Sequence, residues 1–266
     1  MNNNFQINRF GKLLRKELQE RMPFILKVSL ILSMIMVGFW LTKLIFSQGT
    51  AMYYTTRVAY LQTATYISAM LAPFLLYKGF NHPKKGVDYI SLPASIKEKY
   101  ISMIIISLIV MPAATFIAIV ATDTIITLIN PSVMNLFLFD STMLSDLRFT
   151  SFANALILPS FCILGNLLFK SNKMIKTALG TGVVYIIFVS LFAYLFLHVY
   201  QEQSELIKEM DIRINSSNFI SLFKSEIFEG YPGIRITAIL LALTQSVVFP
   251  VGALSGAYYR MKTLQY

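Results

Sequence analysis

Six stretches of about 20 mostly apolar residues, spread along the whole chain, constrain the fold more than any other feature. They cover residues 24–46, 58–77, 100–121, 151–169, 178–200 and 234–259. A helix of that length is what crosses a hydrocarbon core about 30 Å thick. The fourth stretch is the shortest and most polar, carrying Asn154, Pro159 and Asn166. The first is too long for a signal-peptide core and no small-residue cleavage site follows it, so it is expected to stay in the mature chain. The expectation is an all-α, polytopic membrane protein with about six transmembrane helices in a single domain, 1–266.

Composition agrees. Apolar residues make up 56% of the chain and the mean hydropathy is +0.62. Only 14% of residues are charged, against about 25% in a soluble domain whose surface must be wetted. Once the spans are subtracted, no soluble domain of ordinary size is left over. The single cysteine, Cys162, lies inside an apolar stretch and leaves no disulfide within the chain.

A net charge of +10 would suggest nucleic acid in a soluble protein. Here the basic residues collect on one set of loops, and no aromatic-interleaved basic patch of the base-stacking kind occurs, so no nucleic-acid partner is expected. Arg9, Lys12, Arg15, Lys16 and Arg21 precede the first span, and Lys78, Lys84, Lys85, Lys97 and Lys99 follow the second. Lys170, Lys173 and Lys176 follow the fourth, and Arg260 and Lys262 close the chain. The opposite loops hold Arg57, Arg148, Lys208, Arg213, Lys224 and Arg235 over much longer segments. By the positive-inside rule both termini face the cytoplasm. Asp123 is assigned to the outer loops on this reading, as is the long extracytoplasmic loop 201–233.

The first residues read as an amphipathic interfacial helix over 5–22. Phe10, Leu13, Leu14 and Leu18 fall on one apolar face, with Arg9, Lys12, Lys16 and Glu20 elsewhere. Such a helix either lies on anionic lipid or docks a cytoplasmic partner.

Candidate chemistry is sparse. The sequence has no GxxxxGK[ST] phosphate loop, no HExxH and no GxSxG elbow. His82 and His198 stand apart without metal-ligand companions, so neither a catalytic residue nor a metal or other cofactor is assigned. The span interiors are expected to lack ionisable groups, which argues against an ion-coupled carrier. They do contain Pro73, Pro112, Pro159 and Pro250, each removing a backbone donor and bending its helix. Gly252 and Gly256 form a GxxxG spacing suited to close helix packing.

The inner loop 78–99 is the most informative segment. It carries Asp88, Pro93, Ala94, Ser95, Lys97 and Glu98. Ser95-x-x-Glu98 has the form of a capping box, whose side chains satisfy free amides at a helix start, so the third helix should begin there, before the membrane.

The opening FGKLLRKEL (residues 10–18), the loop SLPASIKEKY (91–100) and the closing YYRMK (258–262) resemble permease-like proteins of Bacteroidetes that are grouped with type-2 ABC exporter permeases. That resemblance implies an inner-membrane permease subunit with a separate ABC ATPase as partner. It also implies a homo- or heterodimer with another permease, and an ATPase-coupling helix in loop 78–99. The alternative is a non-transporting membrane protein that senses, anchors or assembles a partner.

Overall fold

The computed structural model describes residues 5–46, 52–81, 92–134, 136–139, 149–200 and 232–264. All the regular secondary structure among them is helical. The helices are α1 (Ile7–Phe46), α2 (Tyr54–Leu76), α3 (Ile96–Ile129), α4 (Phe149–Leu168) and α5 (Lys173–Tyr194), with α6 built from Pro232–Leu243 and Phe249–Thr263. Five of them, all but α4, are long and apolar enough to cross a membrane.

Two prolines leave a defined mark. Pro112 follows a π-helical turn at Ile106–Val110 in α3, and Pro250 follows another at Thr244–Val248 in α6. Proline lacks the N–H that would bond the carbonyl four residues back, and its ring collides with that carbonyl. One extra residue in the turn moves the carbonyl aside, so the helix continues instead of stopping. Pro23, Pro73 and Pro159 sit inside α1, α2 and α4. A third π turn, Leu195–Val199, extends α5 without any proline.

Two of the buried clusters mark opposite ends of the bundle. One cluster joins Ile25 of α1, Ala72 and Leu76 of α2, Met103 of α3, Ile163 and Leu167 of α4 and Met261 of α6. The other joins Met36 of α1, Met52 before α2, and Ile126 and Met134 at and beyond the end of α3, with Trp40 and Tyr60 against them. The first half of α1 and the last turns of α6 therefore lie at the same end of the bundle, called proximal below. The distal end holds the connection from α1 to α2 and the segment after α3.

Helices α1, α2 and α3 pack together, and α4 packs on both α2 and α6. α5 rests on α4 and meets α6 through rings such as Phe188 against Phe249, 5.2 Å between centroids. Thr177 is its single buried residue, while Leu179, Val183, Ile186, Ile187 and Val189 are exposed.

α1 runs unbroken through the segment expected as an interfacial helix. Leu13 is buried, and Leu14 and Leu18 pack against the proximal cluster, so the apolar face of this segment is covered by the chain's own bundle. Phe10 is half-buried, with Phe5 beside it at 5.5 Å.

Candidate functional site

The capping box forms at the start of α3. Ser95 Oγ accepts from the amide of Glu98 at 3.3 Å, and Glu98 Oε2 accepts from the amide of Ser95 at 2.8 Å. Sequence reasoning reached this far. It did not anticipate that the same carboxylate binds α1. Arg9 donates from Nε to Oε2 at 2.7 Å and from Nη2 to Oε1 at 2.8 Å, and the amide of Gln6 adds a bond to Oε1 at 2.8 Å. Glu98 has no solvent exposure, and four hydrogen bonds occupy its two oxygens. A fork-on-fork pair of this kind fixes direction as well as distance. The start of α3 and the first turn of α1 are thus held as one piece.

Around Glu98 the other loop residues fall differently. Lys97 and Pro93 are exposed, Ala94 is half-buried, and Asp88 lies outside the described residues. Lys99 is buried beside Glu98.

A second polar knot lies about two helical turns further along α1. Tyr77 donates its hydroxyl to Glu17 Oε2 at 2.6 Å, and the Arg21 guanidinium lies 3.8 Å above the Tyr77 ring while donating to the carbonyl of Leu76. Glu17 is almost wholly buried. Its position could have been read from the sequence, because it lies three and four residues beyond Leu14 and Leu13, on the apolar face.

The turn after α2 is tied to α4 and α5. Asn166 donates to the carbonyl of Tyr77 at 3.3 Å, and Asn81 donates to the carbonyls of Asn166 and Leu167. Lys173 donates to Asn166 Oδ1 and to the carbonyl of Lys78, both at 3.0 Å. Carbonyls at helix ends have no intrahelical partner, and side chains supply one here. Tyr100 completes the proximal end by donating to the carbonyl of Leu254 in α6 at 2.5 Å.

The distal end overturns an expectation. Arg57 and Asp123, assigned above to outer loops, lie within α2 and α3, 1% and 0% exposed. Arg57 Nε donates to Asp123 Oδ1 at 2.9 Å and Nη2 to Oδ2 at 2.5 Å. The same pair holds the segment beyond α3. Arg57 donates to the carbonyl of Leu136 at 2.8 Å, and the amide of Leu138 donates to Asp123 Oδ2 at 3.1 Å. Buried charges persist only when paired and fully hydrogen-bonded, as these are. With Glu17 and Lys99 at the other end, the helices hold buried ionisable groups at both ends of the bundle, just outside the apolar stretches 24–46, 58–77 and 100–121.

Between the two ends α3 presents a buried polar stripe: Ser102, Ser107, Thr115 and Asp123. Thr115 meets Ser29 of α1 at 3.3 Å.

The expected GxxxG pair divides. A Cβ on Gly256 would touch Leu164 of α4 at 3.4 Å, so this glycine serves α4–α6 packing. A Cβ on Gly252 would meet nothing within 4 Å. The glycine that close approach does require is Gly165, where any Cβ would overlap the Thr177 side chain of α5.

What this arrangement can do is mechanical. Loop 78–99 leaves α2 at Tyr77, which is bound to α1, and reaches α3 at Glu98, which is also bound to α1. The described ends of that loop are thus both tied to α1. No protein-family model, curated protein or solved structure matches the chain. Among the described residues, the fold is that of a helical protein with several helices long and apolar enough to cross a membrane.

Proposed function

We propose that this chain is the transmembrane permease subunit of an ABC-type exporter in a bacterial inner membrane, energised by a separate ATPase. The observation that carries the reading is the Glu98 junction: a capped, rigid helix start at the basic end of the bundle, bound to a second helix. A loop that only joined two helices would have no need of four hydrogen bonds on one buried carboxylate. Lys97 and Pro93 are exposed beside that junction, where a cytoplasmic protein can press on them.

Further support comes from the surface. The exposed apolar side chains of α1, α5 and α6 suit lipid or a second permease. On this reading there are six crossings, α4 included, and both termini are cytoplasmic. α1, at about 1.5 Å per residue, is about twice as long as a hydrocarbon core is thick, so the part before its apolar stretch, 7–23, projects into the cytoplasm. Two permease copies, identical or not, enclose the path.

The experiment is co-expression with the ABC ATPase encoded nearest the gene, followed by purification through a tag on the permease. Recovery of the ATPase in stoichiometric amount supports the reading, and its absence from a folded, membrane-extracted permease removes it.

A further inference from the structure

We propose that the segment after α3, residues 136–139, turns back from the distal end of the bundle into the adjoining bilayer leaflet, where Leu136, Phe137 and Phe139 contact lipid acyl chains. Its level follows from what it touches. The return begins at Asn130, whose carbonyl accepts from the amides of Val133 and Met134. Met134 then clusters with Ile126 of α3, and Leu138 with Ile119 of α3 and Leu61 and Ala64 of α2. From Ile126 to Ile119 is about 10 Å along a helix, a distance that four extended residues cover. The segment thus descends beside α3, and Leu138 lies at the depth of the apolar stretches 58–77 and 100–121.

The backbone bonds fit that depth. Non-helical chain has no internal partners for its amides and carbonyls, and it stands within a membrane only where protein supplies them. Arg57 donates to the carbonyl of Leu136 at 2.8 Å, Asp123 accepts from the amide of Leu138 at 3.1 Å, and the Tyr54 hydroxyl donates to the carbonyl of Leu138 at 3.4 Å. The amide of Met52 donates to the carbonyl of Val133 at 2.9 Å. A loop in water would find these partners in the solvent. Here a fully buried ion pair provides two of them.

The side chains identify the occupant of the outer side. Val133, Met134 and Leu138 are buried against the bundle, whereas Leu136, Phe137 and Phe139 are exposed. Ile125, Leu128 and Ile129, in the last turns of α3, are exposed as well, so the apolar outer surface persists at this level. No charged residue occurs between 130 and 139 to oppose burial in lipid. Leu and Phe side chains of interfacial segments enter the boundary between head groups and acyl chains to a depth of about 5–10 Å. This inference requires only that the bundle sits in a bilayer, and it stands or falls separately from the exporter reading.

The test is the fluorescence of the full-length protein in liposomes, with Phe137→Trp in a Trp40→Phe background as the single tryptophan. Lipids brominated on the upper acyl carbons should abolish most of its emission, and acrylamide in the water should leave it unchanged. Ser132→Trp in the same background, at the exposed turn past the end of α3, should respond in the opposite way. Circular dichroism confirms that each variant is folded. A nitroxide attached through Phe137→Cys in a Cys162→Ser background carries the test if Trp40→Phe proves unstable. Its signal should relax more with oxygen, which partitions into lipid, than with a water-soluble nickel chelate. Quenching at position 137 by acrylamide would overturn the proposal, as would faster relaxation with the chelate. So would protection from both quenchers, which would mean that protein such as a second copy of the chain covers the patch, or identical behaviour at 132 and 137.

Discussion

Removing one member of the Arg57–Asp123 pair should destabilise the bundle far more than removing both. Asp123→Ala leaves a guanidinium 1% exposed with, among the described residues, the carbonyl of Leu136 to bind, and it strips the amide of Leu138 of its acceptor. Breaking a buried pair on one side costs about 3–5 kcal/mol. Arg57→Met should fall in the same range, because it leaves the Asp123 carboxylate in the same dry position with one backbone amide. The double variant Arg57→Met/Asp123→Leu keeps volume and removes both charges. It should lose only about 1–2 kcal/mol, for the backbone groups of Leu136 and Leu138 left without partners. The coupling energy is then several kcal/mol, well above the range of about 0.3–0.5 kcal/mol expected of independent sites. Denaturation in mixed micelles reads this directly. Trp40, the only tryptophan, packs in the distal cluster near the pair, and its emission reports that end of the bundle. Far-UV circular dichroism reports the whole. Single variants within about 0.5 kcal/mol of the wild type, adding simply in the double, would refute the reasoning.

Three further outcomes are expected. A cysteine at position 86 in a Cys162→Ser background should be labelled by an impermeant maleimide only in inside-out vesicles. Labelling from outside intact cells would reverse the assigned orientation. Gly165→Ala should lower stability by about 1–3 kcal/mol, the usual range for overpacking, with partial rescue by Thr177→Gly. A thermal melt of the purified variants decides this, and an unchanged melting temperature would remove the α4–α5 contact. Finally, the permease in nanodiscs should contain two chains; single chains that still transport in vesicles would show that no second permease is needed.

Hydropathy located the middle of every helix but not the ends. The first stretch was expected from 24, yet α1 begins at Ile7, and the third was expected to end at 121, yet α3 continues to Ile129. Backbone hydrogen bonds continue past the last lipid-facing residue, so an apolar window stops before the helix does. Asp123 was lost for that reason: it sits beyond the window, inside the helix. Its partner is 66 residues away, and no local spacing encodes such a pair. Ser95 and Glu98 were legible because a capping box is local, three residues apart and written in side-chain type. The bonds from Arg9 and Gln6 to the same carboxylate were not, since they depend on how α1 meets α3. Gly165 was overlooked for want of a motif around it, whereas the GxxxG pair drew attention to Gly252, which touches nothing.

On the exporter reading an ATPase works on this bundle through the start of α3. Glu98→Ala would also release Arg9 and Gln6, so Ser95→Ala is the cleaner variant. It removes one half of the capping box at about 1 kcal/mol and leaves the contacts with α1 in place. The measurement is the ATP hydrolysis rate of the ABC ATPase encoded nearest the gene, co-reconstituted in liposomes with wild-type or Ser95→Ala permease. The prediction is stimulation by the wild type and a several-fold loss of it with Ser95→Ala at an almost unchanged melting temperature. An ATPase indifferent to the wild-type permease would contradict the exporter reading, and full stimulation by a stable Ser95→Ala protein would contradict the role given to this helix start.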